Sequence, residues 1–212
     1  MKTKGFTLAE VLITLGVIGI VAALTMPSIS ANVQKSILKN QTKKALNVYS
    51  QALTQTVESM GGDVDCYYGE TGVAFSGCPN FLTEFTKNLK TIKTCLGNAM
   101  NDGCVPQYSS YAAGGSGCGG FSEEAINTQD KVYVLSDGSL IISYLPAGGM
   151  YPLFAFDING KKGPNKPGYD LFGISINKNI KTGAFYFNNN LNSCMTPEDG
   201  GFKSISEIMG EK

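Results

Sequence analysis

Three sets of residues in this chain could do chemistry: a single carboxylate, Glu10, inside an apolar run; six cysteines; and a loop of oxygen donors from Asp157 to Asp170. Glu10 is the only charge between Phe6 and Met26. At a bilayer centre such a charge costs about 2.5–3.5 kcal/mol, so a partner for it is expected. The cysteines Cys66, Cys78, Cys95, Cys104, Cys118 and Cys194 all follow the apolar run, are even in number and show no CxxC spacing. That pattern favours disulfides in an oxidising compartment over a zinc site. The expected pattern is two local loops, Cys66–Cys78 and Cys95–Cys104, with Cys118–Cys194 pinning the C-terminal tail.

The third set reads Asp157-Ile-Asn159-Gly160-Lys-Lys-Gly163-Pro164-Asn165-Lys-Pro167-Gly168-Tyr-Asp170. Asp157, Asn159, Asn165 and Asp170 offer the hard oxygens that calcium prefers. The spacing is not that of an EF-hand, whose sixth position is Gly where Lys162 stands, and Lys161 and Lys162 oppose a cation. The competing reading is a metal-free loop held by Asx turns and glycine.

Composition removes much else. The chain has no His, Arg or Trp, which excludes imidazole acid-base catalysis, Ser-His-Asp and Cys-His pairs, and arginine clamps on phosphate. Its 17 Lys balance 17 acidic residues, and losing Lys2 and Lys4 would leave 15. Nothing in that balance points to a nucleic-acid partner. The glycine-rich run Ala113–Gly120 lacks the strand and helix that frame a phosphate cradle and reads as a loop.

The elements that position Glu10 begin with Phe6–Met26, 21 residues that suffice to span a bilayer. Lys2 and Lys4 would also suit a secretory signal, but the run exceeds the usual h-region of about 7–15 residues and carries Glu10 near its start. Gly5-Phe6-Thr7-Leu8-Ala9-Glu10 resembles the type III signal of the type IV pilin and type II secretion pseudopilin family. The resemblance implies cleavage between Gly5 and Phe6 by prepilin peptidase, N-methylation of Phe6, an assembly role for Glu10, and helix-weakening at Gly19 and Pro27. It covers roughly residues 1–55. Physically, the Phe6 amine of one subunit could neutralise Glu10 of the next.

The implied partners are copies of the chain and related pilins, the peptidase, an inner-membrane assembly platform, and the membrane itself before assembly. The implied location is a single pass through the inner membrane with an extracytoplasmic head, and then a periplasmic or cell-surface fibre. Several major pseudopilins bind calcium in a C-terminal loop, which adds to the reading of 157–170. The alternative function is a monomeric membrane-anchored binding domain that never polymerises.

The expected domains are a leader at 1–5, a transmembrane and assembly helix at 6–27, its continuation at 28–60, and a head at 61–212. Val33, Ile37, Gln41, Ala45, Val48, Ala52 and Val57 recur at helical spacing beside Leu46, Tyr49 and Leu53, so one helix should continue to about Met60 and pack on a sheet. Lys35, Lys39, Lys43 and Lys44 should form its solvated face, and Gly61-Gly62 should end it. Residues 61–80 read as a cysteine-bounded loop. Asn80 should cap a helix carrying Phe81, Leu82, Phe85, Leu89, Ile92 and Leu96, and 97–128 should be irregular. Lys131–Tyr144 alternates around Asp137-Gly138 as a hairpin. Further strands are expected at Tyr151–Asp157, Leu171–Ile176 and Ala184–Phe187. The fold class is therefore α+β, a long helix on an antiparallel sheet, similar to pilins and stapled by disulfides.

Ser36-Ile-Leu-Lys39, Ser175-Ile-Asn177 and Lys181-Thr-Gly183 also echo, with one departure at Ile176, the three motifs of penicillin-interacting serine enzymes. Only three residues separate the second from the third, and Ser36 falls on the pilin-like helix, so no enzyme is read from them.

Overall fold

A computed structural model of the chain describes residues 5–62, 81–109, 121–128, 131–144, 153–179, 181–191 and 195–210. The chain divides into two compact units, Met1–Leu38 and Lys39–Lys212, and one helix, α1 (Leu8–Ser59), contributes to both. In the first unit Leu12, Ile13, Leu15, Val17, Ile18, Ile20, Val21 and Leu24 are all exposed. A helix apolar on every face needs lipid or other helices around it, and α1 is long and apolar enough to cross a membrane. It continues through Pro27, whose missing N–H withdraws one rung from the helical ladder. At the other end Gly61 and Gly62 have φ of 89° and 85°. Gly62 N–H donates to Val57 O at 2.8 Å and Gly61 N–H to Glu58 O at 3.1 Å, the paired bonds of a Schellman cap. Gly61-Gly62 therefore ends the helix as expected.

In the second unit the buried positions of α1 are Thr42, Ala45, Leu46, Tyr49, Ala52, Leu53 and Thr56, alternating threes and fours as a core-facing stripe must. The expected stripe is thus partly corrected: Val33, Ile37 and Val48 are exposed. The expected solvated face is corrected as well. Lys43 Nζ donates to Met209 O at 3.1 Å, and Lys39 Nζ lies 5.8 Å from the centroid of the Phe202 ring.

Among the described residues six strands follow: β1 (Thr91–Leu96), β2 (Lys131–Leu135), β3 (Leu140–Tyr144), β4 (Leu153–Asp157), β5 (Leu171–Lys178) and β6 (Phe185–Phe187). They form one antiparallel sheet in chain order. One face carries Phe154 and Phe156. Tyr49 of α1 stacks on Phe156 at 4.4 Å, and Phe85 of α2 (Phe81–Asn88) packs 5.7 Å from Phe154. The opposite face carries Val132, Leu140, Ile142, Ala155 and Leu171, which cluster with Ala99, Val105, Tyr108, Phe121 and Ile126. The sheet is therefore covered on both sides, by helices on one and by an irregular layer on the other. That is why β4 reads as a continuous apolar run.

The expected hairpin forms with its register moved by one residue. Val134 pairs with Leu140, Leu135 N–H donates to Ser139 O at 2.9 Å and Gly138 N–H to Leu135 O at 3.0 Å. The loop is thus Ser136-Asp137-Gly138, with Gly138 at φ 89°, a three-residue turn ending in a left-handed glycine. Asp137 Oδ1 accepts from Ser139 N and Oγ at 3.0 and 2.6 Å, and this Asx closure stabilises the wider loop.

The helix expected to reach Leu96 stops at Asn88, and residues 91–96 are strand β1. Lys90 takes φ 55°, and the β-branched Thr91, Ile92 and Thr94 favour a strand. Ile92 and Leu96, read as core positions, are 69% and 65% exposed. Two short helices were not anticipated: α3 (Glu123–Thr128), within a stretch read as irregular, and α4 (Ile205–Met209).

Cys95 and Cys104 form a disulfide that ties β1 to the irregular layer. The Cys66–Cys78 and Cys118–Cys194 expectations, the 63–80 loop, the Asn80 cap, the glycine-rich run, and Tyr151 lie outside the described residues. Closing a loop this short restricts the unfolded chain by about 2–3 kcal/mol. Replacing both Cys95 and Cys104 with Ser should lower unfolding stability by that amount in a denaturant titration, and an unchanged midpoint would refute a structural role for the bond.

Candidate functional site

The N-terminal site starts at Thr7, the residue before α1. Its backbone N–H and its hydroxyl both donate to Glu10 Oε2 at 2.8 Å, while Glu10 N–H donates to Thr7 Oγ1 at 3.3 Å. This is a capping box: the hydroxyl of the N-cap residue and the carboxylate three residues on satisfy N–H groups the helix leaves open. Its signature, Thr-x-x-Glu, is legible at Thr7 to Glu10, yet reasoning on charge alone passed over Thr7. Phe6, just before it, is 89% exposed. Gly5 precedes Phe6 outside the helix, and a Cβ there would meet nothing within 4 Å. The Gly5–Phe6 bond thus precedes a helix whose first turn holds the Glu10 carboxylate on Thr7. Gly19 likewise has open space around its Cα.

The second candidate is the β4–β5 loop. Asp157, the last residue of β4, is fully buried. Its Oδ1 accepts from Asn159 N at 3.2 Å and Gly160 N at 2.7 Å, and its Oδ2 accepts from Tyr108 Oη at 3.1 Å. Asp170, immediately before β5, is equally buried, and accepts from Asn165 N at 2.8 Å and Lys166 N at 2.7 Å. The Asn159 amide also bonds to Asp170, and Asn159 Nδ2 donates to Gly163 O at 2.8 Å. The four oxygen-bearing residues singled out in the sequence thus close into one loop. Burial first, and then the charge of Asp170, pushes the Asp157 carboxyl up to about 8. Burial also raises Asp170, against the hydrogen bonds it accepts from the Lys166 and Asn165 backbone.

Close backbone packing seats the loop. Gly160 has φ 60°, and a Cβ there would lie 2.1 Å from Gly138 O in the β2–β3 turn. On the other side Phe202 N–H donates to Gly168 O at 2.7 Å and Glu198 N–H to Pro167 O at 3.0 Å, while Lys166 pairs with Glu198 at 3.0 Å. Ser109 N–H donates to Asn165 O at 3.0 Å, and the Ser109 hydroxyl bonds to Glu198. The loop therefore joins the irregular layer to the C-terminal segment, with partners on Tyr108, Ser109 and Glu198 that its own sequence could not name.

Of the residues in the serine-enzyme echo, Ser36 is exposed on α1 and Ser175 is buried within β5.

Residues 1–26 match the prokaryotic N-terminal methylation motif, the prepilin-type signal of type IV pilins and pseudopilins. No curated protein and no solved structure matches the chain. The matched signal is a structural motif rather than an enzymatic one. Together with the apolar helix it fits a membrane-anchored, processed protein with an extracytoplasmic domain.

Proposed function

We propose that this chain is a structural subunit of a type IV pilus-like or type II secretion pseudopilus fibre. On this reading prepilin peptidase removes residues 1–5, Phe6 becomes an N-methylated N-terminus, and an inner-membrane assembly platform extracts the subunit into a polymer of itself and related pilins. Residues 6–27 are the membrane and assembly helix, 28–60 its continuation, and 61–212 the head, at first extracytoplasmic on a single inner-membrane pass and then in a periplasmic or surface fibre. The carrying observation is a helix apolar on every face whose only charge before Lys35 is Glu10, one turn behind Gly5–Phe6.

In the free subunit the capping box occupies Glu10. In the fibre the cationic Phe6 amine of a neighbour supplies a counter-charge in low dielectric, where an unpaired carboxylate is costly. Because the donor is on one subunit and the acceptor on the next, the contact is head-to-tail and propagates without closing. Gly19 and Pro27 are the positions where the helix can loosen as subunits pack.

The test is to shear surface or periplasmic fibres from cells that express the chain with its own assembly genes. The chain should be in the fibre fraction, its α1 helices lining the fibre core by electron cryomicroscopy. A chain found only as membrane-bound monomers would instead support an anchored binding domain. Thr7→Val removes the hydroxyl from the capping box, a loss of about 1 kcal/mol. It should lower fibre yield while Thr7→Ser restores it, and equal yields from all three chains would show that Thr7 does not position Glu10.

A further inference from the structure

We propose that the cavity between α2 and the β1–β2 edge of the sheet is a binding site for an oxyanion, with phosphate, free or as a monoester, the best match. Lys87, Lys90 and Lys131 supply the charge, and the Tyr133, Thr83 and Thr94 hydroxyls supply directed hydrogen bonds. The proposal concerns the head alone and does not depend on the fibre reading.

The cavity has a volume of about 580 Å³, within the range of small-ligand sites. The sheet builds one wall. Thr94 pairs with Tyr133 and Leu96 with Lys131, and residues directly opposite in an antiparallel pair share a face. That face is the one covered by the helices, since Tyr133 pairs with Ile141 and Ile141 with Phe156. Helix α2 builds the other wall with Thr83 and Lys87, one turn apart on the same side of the helix. Between the walls the chain turns at Lys90, at φ 55°, where Ser136 N–H donates to Lys90 O at 3.2 Å. Glycine takes that conformation freely, whereas lysine accepts strain there and adds a third ammonium to the lining.

Among the described residues every polar side chain that lines the cavity is a lysine or a hydroxyl, and no carboxylate does. Lys87 shares its charge with Glu84 at 3.6 Å, while Lys90 and Lys131 make no described ion pair. Strand β1 is the outermost of the sheet, and lysines at such an edge also guard it against pairing with another chain. Three ammoniums alone would carry no more than that. Tyr133 separates the two readings. It is 7% exposed, yet its hydroxyl bonds to no described residue, and a phenylalanine would guard the edge as well. Buried tyrosine hydroxyls ordinarily find a partner. Burial pushes the Tyr133 phenol up to about 12, so it remains an O–H donor at neutral pH.

The donor set selects the anion. Lysine binds phosphate as a point charge, and the chain has no arginine fork to match a planar carboxylate. A phosphate monoester carries about −1.5 to −2 charge at pH 7 and three strong acceptor oxygens. It answers three ammoniums and three hydroxyls better than the two oxygens and single charge of a carboxylate. The size of the cavity also leaves room for the body that an ester would carry.

Calorimetric titration of the purified full-length chain in nonionic detergent, with inorganic phosphate and with glucose 6-phosphate, reads the site. One saturable site per chain is expected, weakening several-fold as salt rises from about 50 to about 500 mM because exposed charges are screened. Glucose, the neutral control, should not bind. Tighter binding of glucose 6-phosphate than of inorganic phosphate assigns the site to an ester, and equal binding assigns it to the free ion. Tyr133→Phe keeps the ring and should weaken binding about tenfold, as for loss of one hydrogen bond to a charged group, with an unchanged melting temperature. Lys90→Gln combined with Lys131→Gln should weaken it further, whereas Lys181→Gln, at an exposed lysine between β5 and β6, should leave it unchanged. A folded wild-type chain that binds neither phosphate up to about 10 mM overturns the site. Affinity unchanged in the folded Tyr133→Phe and double-lysine chains, or lowered equally by Lys181→Gln, overturns its placement in this cavity.

Discussion

Cells carrying Glu10→Ala should make no fibres from this chain, while its head remains folded and its membrane level remains near wild type. Glu10 makes its hydrogen bonds with Thr7, so the variant spares the sheet and its core. What it removes is the carboxylate that a neighbouring N-terminal amine would neutralise. Glu10→Gln sharpens the test, since Gln also serves in a capping box and therefore keeps the local helix start without the charge. If assembly depends on charge pairing, Gln fails as Ala does. If Gln supports normal fibres by shear-fraction immunoblot, the role of Glu10 is local capping and the intersubunit pairing is wrong.

Tyr49→Ala should be the most damaging single change to the head. Tyr49 is 2% exposed, stacks on Phe156 at 4.4 Å, and sets its hydroxyl 3.3 Å from Ser139 Oγ. Truncating a buried aromatic costs about 3–5 kcal/mol, a large share of a total near 5–15 kcal/mol. The melting temperature should fall by about 10 °C or more. Tyr49→Phe keeps the stack and loses only a long hydrogen bond, so it should cost about 1 kcal/mol. Equal melting of Tyr49→Ala and wild type would show that α1 is not seated on the sheet through this ring.

These two residues also illustrate what the sequence discloses. Glu10 was legible because a charge in an apolar run is costly, and Tyr49 because helical periodicity placed it beside Leu46 and Leu53. The flanking positions were misassigned for a geometric reason. A strict row of fours, Val33, Ile37, Gln41 and Ala45, winds around a helix with 3.6 residues per turn, whereas the buried set alternates threes and fours. Lys39 and Lys43 were read as a solvated run, since their partners Phe202 and Met209 lie far along the chain.

The hairpin was legible from Asp137-Gly138, but its register depended on the Asp137 carboxylate closing on Ser139. Strand β1 was hidden because Phe81 to Leu96 also fits helical spacing. The left-handed turn at Lys90, pairing with β2 and the β-branched Thr91, Ile92 and Thr94 separate the two readings. Helix α4 had a local signal: Ser204 caps by accepting from Glu207 N, and Glu207 accepts in turn from Lys203 N, a Ser-x-x-Glu start akin to the Thr-x-x-Glu at Thr7. In the β4–β5 loop the sequence named the oxygen donors. It could not show that two amide oxygens are buried without donors, since that depends on the segments packed around them.

The central claim is that this chain is processed as a prepilin, and the mature N-terminus tests it most directly. The full chain, isolated from its native cell, should give an intact mass and a terminal peptide beginning at N-methyl-Phe6. A chain retaining Met1, or one beginning near Leu24 or Asn32 as after ordinary signal-peptide cleavage, would contradict the account and remove the amine that Glu10 is assigned to meet.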